Sequence, residues 1–169
     1  MKPLLTVFFL FSLGCATPSS SSSSFFKENG YVAIPLKKNA VGHFEIKVKI
    51  NNVPGTFTLD TGASTTAIDK GSLKKFNITK LGQTVVAGGL GTSNNSASII
   101  KINRLEMGSF RIRRISIIST DLSQVNEALS SSGVDHQDGV IGADVLRRGK
   151  AIIDYSSDTL FLHPLKPGS

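Results

Sequence analysis

The chain has 169 residues, 40% of them hydrophobic and 18% charged, which after removal of an N-terminal leader is enough for one globular domain and excludes a two-lobed architecture. Lys and Arg outnumber Asp and Glu by 19 to 12, leaving a net charge of +7. These basic residues are spread without aromatic interleaving or a nucleic-acid-binding motif, so they read as a solvated surface and no nucleic-acid partner is expected.

The chain opens with Lys2 and an apolar run from Leu4 to Leu13, broken by Thr6 and Ser12 and followed by Gly14, Cys15 and Ala16. This pattern predicts a secretory signal peptide over residues 1–15; a membrane span would need about 20 apolar residues. Cys15 is the only cysteine, which rules out an intramolecular disulfide. Ser12-Leu13-Gly14-Cys15 resembles a bacterial lipoprotein lipobox, and the resemblance implies lipidation of Cys15 and a membrane partner through that anchor. It departs from the usual box in having Ser12 three residues before the cysteine and Leu13 one place late; a chance cysteine beside an ordinary cleavage site is the alternative. Thr17-Pro18 and the serines Ser19 to Ser24 predict a flexible linker over residues 16–29. The expected location is the periplasmic face of a bacterial envelope membrane, with simple secretion as the alternative.

The folded domain is expected over residues 30–166. Short apolar runs punctuated by Gly, Asn, Pro and Ser predict a compact, mainly β structure. In the segment from His43 to Ile50, Phe44, Ile46, Val48 and Ile50 alternate with polar or charged residues, which predicts a half-buried strand. Asn51-Asn52-Val53-Pro54-Gly55 supplies turn residues, and Thr56 to Leu59 resumes the alternation, so the two runs should pair as a hairpin that delivers Asp60 at its end. Further strands are expected over Gln83 to Ala87, Ser98 to Leu105, Phe110 to Ile118, Ala151 to Asp154 and Thr159 to Leu162. Two short helices are predicted: one capped by Asp121, with Leu122, Val125 and Leu129 at helical spacing, and one over Ala143 to Arg148.

Two strings carry chemistry. Phe57-Thr58-Leu59-Asp60-Thr61-Gly62-Ala63-Ser64 runs an apolar strand into Asp-Thr-Gly, and Asp138-Gly139-Val140-Ile141-Gly142-Ala143-Asp144-Val145-Leu146 follows much later. The triplet alone is a weak signal and could be a plain turn; the pair is much less expected by chance. Together with Gly88-Gly89-Leu90-Gly91 between two predicted strands, and Ile152-Ile153-Asp154-Tyr155 followed by Leu160-Phe161-Leu162, they make the chain resemble the retropepsin-like aspartic peptidases from about Tyr31 to Leu165.

That resemblance implies an all-β fold, a closed or partly open barrel of short strands with a flap hairpin and one or two short helices. It implies catalytic roles for Asp60, Thr61 and Gly62, substrate contacts from Ala63 and from the flap residues Gly88, Gly89, Leu90 and Gly91, and support of the catalytic loop by Ile141 and Gly142. The Thr61 hydroxyl would hydrogen-bond across a twofold axis. Elementary chemistry explains the residue types. Hydrolysis of a peptide bond without a metal or a covalent nucleophile needs one group to take a proton from water and another to give one, and two carboxylates about 3 Å apart share a single proton and do both. One chain offers one Asp-Thr-Gly, so the second aspartate is expected from a second copy, making a homodimer part of the mechanism. Gly62 lets the backbone turn and leaves room for water and substrate, and Gly142 allows close packing against the loop, an ordinary bulge being the other reading. A flap closing over a groove predicts an extended peptide or protein substrate.

Other groups read more simply. His43, His136 and His163 lie on no metal-ligand spacing, and no metal or cofactor is expected. Asp135 and Asp138 belong to a polar loop, and Arg111, Arg113 and Arg114 face solvent. The glycine run lacks the Lys-Ser/Thr and helix of a phosphate-binding loop. The leading expectation is therefore an aspartic endopeptidase. The alternatives are a catalytically silent peptide-binding envelope lipoprotein on the same fold and, last, a structural lipoprotein with an accidental Asp-Thr-Gly.

Overall fold

A computed structural model describes residues 22–86 and 96–165. The leader with Cys15, and the flap glycines Gly88, Gly89 and Gly91 with Leu90, lie outside the described residues. In chain order the elements are α1 (Ser22–Glu28), β1 (Val32–Pro35), β2 (Lys37–Lys38), β3 (Phe44–Ile50), β4 (Val53–Leu59), β5 (Ala67–Asp69), β6 (Thr84–Val86), β7 (Ser96–Met107), β8 (Phe110–Thr120), α2 (Ser123–Ser131), β9 (Gly139–Ile141), α3 (Ala143–Arg148), β10 (Ile152–Asp154) and β11 (Thr159–Leu162).

The β3–β4 hairpin forms as the alternation requires, with Ile46 opposite Phe57 and Ile50 opposite Val53. Its turn is tighter than expected. Only Asn51 and Asn52 lie outside the ladder, at φ 50° and 72°, the left-handed pair demanded by a two-residue turn whose twist matches the strands, and a conformation Asn adopts more readily than most residues. Strand β4 therefore begins at Val53. Phe44, Ile46, Val48 and Ile50 are buried, and Glu45 on the other face is buried too, its Oε1 accepting a hydrogen bond from Gln137 Nε2 (3.1 Å).

Strands β3, β4, β9, β5, β8 and β7 lie in that order, and a further pairing of β3 with β7, Lys49 opposite Glu106 and Ile50 opposite Leu105, closes six strands into a barrel. Closure leaves none of these six with a fully open edge along the ring. Two pairings are parallel, β4 with β9 and β5 with β8. They bring Leu59 beside Ile141, so the Asp-Thr-Gly string and the apolar-apolar-Gly string emerge together at one end of the barrel. Inside, Phe57, Phe76, Phe110, Ile50, Leu105 and Met107 are inaccessible to solvent; each such side chain contributes roughly 1.5–3 kcal/mol by leaving water.

A second, antiparallel sheet of β1, β11 and β10 packs beside the barrel. Here the expected linker is corrected at its end. Ser22–Glu28 is helical, because Phe26 finds an apolar partner: its ring lies 4.9 Å from that of Phe161, and Ser22 Oγ donates to Asp154 Oδ2 (2.8 Å). The folded unit thus reaches back to Ser22.

Helix α3 falls where its pattern placed it. Helix α2 does too, but its cap position is Leu122, with Asp121 Oδ1 one place earlier accepting from Ser123 N–H (2.9 Å); Val125 is exposed, and the buried stripe is Leu122, Asn126 and Leu129. Asn126 faces inward because its amide exchanges two hydrogen bonds with the Gln137 backbone (2.8 and 3.1 Å), which satisfies a polar side chain that burial would otherwise penalise.

Candidate active site

Asp60 follows directly on β4, and its position is set by backbone on both sides. Its N–H donates to the Ile141 carbonyl (3.0 Å), continuing the β4–β9 ladder one residue past the strand, and its own carbonyl accepts from Ala63 N–H (3.3 Å), closing a turn over Asp60-Thr61-Gly62-Ala63. The carboxylate is exposed. Gly62 N–H donates to Oδ1 (2.8 Å), so one oxygen is oriented while Oδ2 has no hydrogen-bond partner among the described residues.

Gly62 lies within this turn without entering the left-handed region; its φ is not among the positive values. The requirement is space, since a Cβ here would lie 3.1 Å from Asp60 Oδ1. Thr61 is exposed, and its hydroxyl forms no hydrogen bond within the described residues. Ala63 is partly buried and its carbonyl accepts from Ala143 N–H (2.8 Å), the first N–H of α3.

Gly142 sits where the two strings touch. A Cβ on it would come within 2.7 Å of the Thr65 carbonyl carbon and 2.8 Å of the Ala63 oxygen, both backbone atoms that cannot swing aside. Close approach of two backbones, not a bulge, is what glycine supplies here. Ile141, fully buried, provides the carbonyl that anchors Asp60.

Two residues that sequence reasoning passed over complete the scaffold. Thr66 Oγ1 donates to Asp144 Oδ1 (2.7 Å) and accepts from Gly142 N–H (3.0 Å), while the same Asp144 oxygen also accepts from Thr66 N–H (2.9 Å) and Val145 N–H (2.8 Å). This cross-tie fixes the far end of the Asp60 loop to the start of α3. The available signal was Asp144 in the first turn of a short helix, where free N–H groups attract a carboxylate.

Asp138 lies in the polar loop before β9, as expected, but it is buried there, with Oδ1 accepting from Ser72 Oγ (2.9 Å) and Oδ2 accepting from Thr56 N–H (2.9 Å) and Lys75 Nζ (2.7 Å). Burial works to raise its pKa, but the Lys75 ammonium and the Thr56 and Ser72 donors outweigh it and hold the carboxyl below its ordinary 3.8. It braces β4 from the side and stands apart from the Asp60 loop. His136 lies beside this cluster, its Nε2 3.3 Å from Ser72 Oγ and 3.6 Å from Asp69 Oδ2. His43 is exposed on the loop before β3, and His163 packs edge-on against Tyr31. No group of three or more metal-ligating side chains occurs among the described residues.

Comparison with known proteins follows the geometry. The sequence model of a family described as aspartyl protease matches residues 46–145, more than half of the chain. The chain belongs to the aspartyl protease family. Within it, the fold is retropepsin-like: a retropepsin-like aspartic protease from Rickettsia conorii is 27% identical, with 79% of this chain and 90% of that one covered and a TM-score of 0.55. Two further solved structures align more loosely. The retroviral protease-like domain of Ddi1 from Leishmania major is 18% identical over 74% of this chain and 95% of its own (TM-score 0.46). The protease of EIAV, solved with the inhibitor HBY-793, is 18% identical over 61% and 84% (TM-score 0.37). No curated protein sequence matches at the same stringency. The family match spans both the Asp60 loop and the Gly142 strand of this aspartyl protease domain.

Proposed function

We propose that this aspartyl protease domain is an endopeptidase whose reaction centre forms between the Asp60 carboxylates of two copies. The observation that carries the reading is the state of Asp60: one carboxylate oxygen is oriented by Gly62 N–H and the other is open to solvent on a loop tied down by Ile141, Ala143 and, through Thr66, Asp144. A rigid, exposed carboxylate with a free oxygen suits proton transfer to and from water. Among the described residues no second carboxylate bonds to it, which fits a partner copy as the source.

With two such loops facing each other, one Asp60 carboxylate accepts a proton from a water held between them as its oxygen adds to the scissile carbonyl carbon. The other, protonated Asp60 gives its proton to the carbonyl oxygen; on collapse of the tetrahedral adduct the first Asp60 passes the proton it took from water to the leaving nitrogen and the second takes one back from a hydroxyl, so acid and amine are released and the pair again shares one proton. The exposed Thr61 hydroxyls would hold the loops in register across the axis, and the Ala63 backbone with the flap residues Gly88, Gly89, Leu90 and Gly91 would line an extended peptide. We further place the protein outside the cytoplasm, at the periplasmic face of a bacterial membrane, with Cys15 as its lipid attachment; a mature N-terminus other than a modified Cys15 by mass spectrometry would remove that anchor.

The test is cleavage of an unbiased peptide library by wild type and Asp60→Asn from acidic to neutral pH. Products made by wild type alone support the reading. Tight peptide binding by both, with cleavage by neither, would replace it with a peptide-holding module on the same fold.

A further inference from the structure

The end of the barrel remote from Asp60 holds a second concave site. Asn52 and Asp60 are eight residues apart along an extended strand, about 26 Å at the usual rise. A cavity of about 510 Å³ opens there, lined by Asn51, Asn52, Asn103, Arg104, Arg113 and Arg114. Its origin lies in a phase slip shared by two strands. On β7 the inward residues Ile100 and Ile102 are followed not by residue 104 but by Leu105; on β8, Ile112 is followed not by residue 114 but by Ile115. Each strand therefore places two polar residues side by side, and three of the four are arginines.

Three features of this cluster oppose stability. Arg104 and Arg113 are direct cross-strand partners, an arrangement of like charges that costs free energy. Arg114 has φ 49°, a left-handed conformation unfavourable for a long L-residue. None of the three guanidinium groups forms an ion pair with an acid among the described residues, whereas neighbouring Arg111 is bound to Glu106 (2.7 Å). Meanwhile the site is held in shape. Arg104 Nη1 donates to Asn52 Oδ1 (3.0 Å), and Asn51 Oδ1 accepts from the backbone N–H groups of Asn103 and Arg104 (3.0 and 3.3 Å).

We infer that this pocket binds a phosphate-bearing anion. Three arginines line one hollow, and their planar forks match the several oxygens of a phosphate group better than a single carboxylate; the volume exceeds that of a bare phosphate, leaving room for the remainder of a phosphoester. The same chemistry is offered by a soluble phosphoester and by a phospholipid headgroup.

Calorimetric titration of the full chain with inorganic pyrophosphate at constant ionic strength tests the site. We expect saturable binding of one pyrophosphate per chain, weakened about tenfold or more by Arg113→Gln and unchanged by Arg111→Gln or Asp60→Asn. Arg114→Gly is the discriminating variant: it should weaken binding while the melting temperature stays the same or rises, because it removes the backbone strain together with the guanidinium. Vesicles, with Cys15→Ser protein so that no lipid anchor contributes to retention, separate the two sources. Retention on phosphatidylglycerol but not phosphatidylcholine vesicles, displaced by pyrophosphate and lost in Arg113→Gln, assigns a lipid headgroup; pyrophosphate binding without such retention assigns a soluble phosphoester. Absence of saturable binding, or equal weakening by Arg111→Gln and Arg113→Gln, overturns the inference.

Discussion

Two carboxylates flank strand β4, Asp138 against its side and Asp60 just past its end, and they are treated in opposite ways. Beside Thr56, Asp138 is buried and accepts from a serine hydroxyl, a lysine and a backbone N–H. Just past Leu59, Asp60 is exposed and accepts from one backbone N–H. The first group spends its bonding capacity on holding strands together; the second keeps one oxygen unbonded among the described residues, the capacity on which the proposed function rests. An acid whose lone pairs are all engaged cannot exchange protons readily, so the bonding pattern separates scaffold from chemistry more clearly than the identity of the residue.

Substitutions should split along that line. Asp60→Asn removes the base without changing shape, and peptide cleavage should fall at least a thousandfold, about 4 kcal/mol on the barrier, with the melting temperature almost unmoved; comparable loss of activity from Asp138→Asn in folded protein would erase the contrast. Asp138→Ala leaves Thr56 N–H, Ser72 Oγ and Lys75 without their shared acceptor and should cost about 3 kcal/mol in urea unfolding, with cleavage per folded molecule largely kept.

Gly142→Ala tests the junction between the two regions. Its Cβ would drive the Ala63 and Thr65 backbone away, costing about 1–3 kcal/mol and lowering cleavage as well, because the displaced segment belongs to the Asp60 loop. A variant that loses stability but cleaves normally would show that the loop is not held from this side.

The smallest effect concerns pH. The Asp138 carboxyl is depressed below 3.8, so its contribution to stability is complete above that value and is lost as pH falls through the lower, folded-state pKa. Wild type should therefore lose melting temperature more steeply than Asp138→Asn as pH drops below about 4; parallel curves would mean that the Lys75 and Ser72 contacts leave Asp138 unperturbed in solution.

The same contrast explains what could be read in advance. Asp60 was legible because its signal is local: the alternation of β3, the asparagine turn and the apolar run of β4 all lie within twenty residues and lead to it. Gly142 was legible through the pattern around it, although only the structure shows that Thr65 and Ala63 are what it must clear. The burial of Asp138 was not legible because Asp135-His136-Gln137-Asp138 is polar throughout, and the residues that enclose Asp138, Thr56, Ser72 and Lys75, are more than sixty positions away. Thr66 and Asp144, joined over a similar separation, were missed for the same reason. Strands β1, β2 and β5 have no more than four residues each, too few for periodicity to declare them, and α1 depends on one phenylalanine docking onto a surface built by the end of the chain.

The central claim is that two copies of Asp60 act as one site, and a mixing experiment reaches it most directly. Wild type is held at fixed concentration and Asp60→Asn is added in increasing excess while peptide cleavage is followed. If each active site is shared, the variant draws wild-type chains into mixed dimers and the rate falls towards zero as the excess grows. A rate that stays constant under a large excess of variant, with both proteins folded, would show that a single chain cleaves alone and would contradict the account.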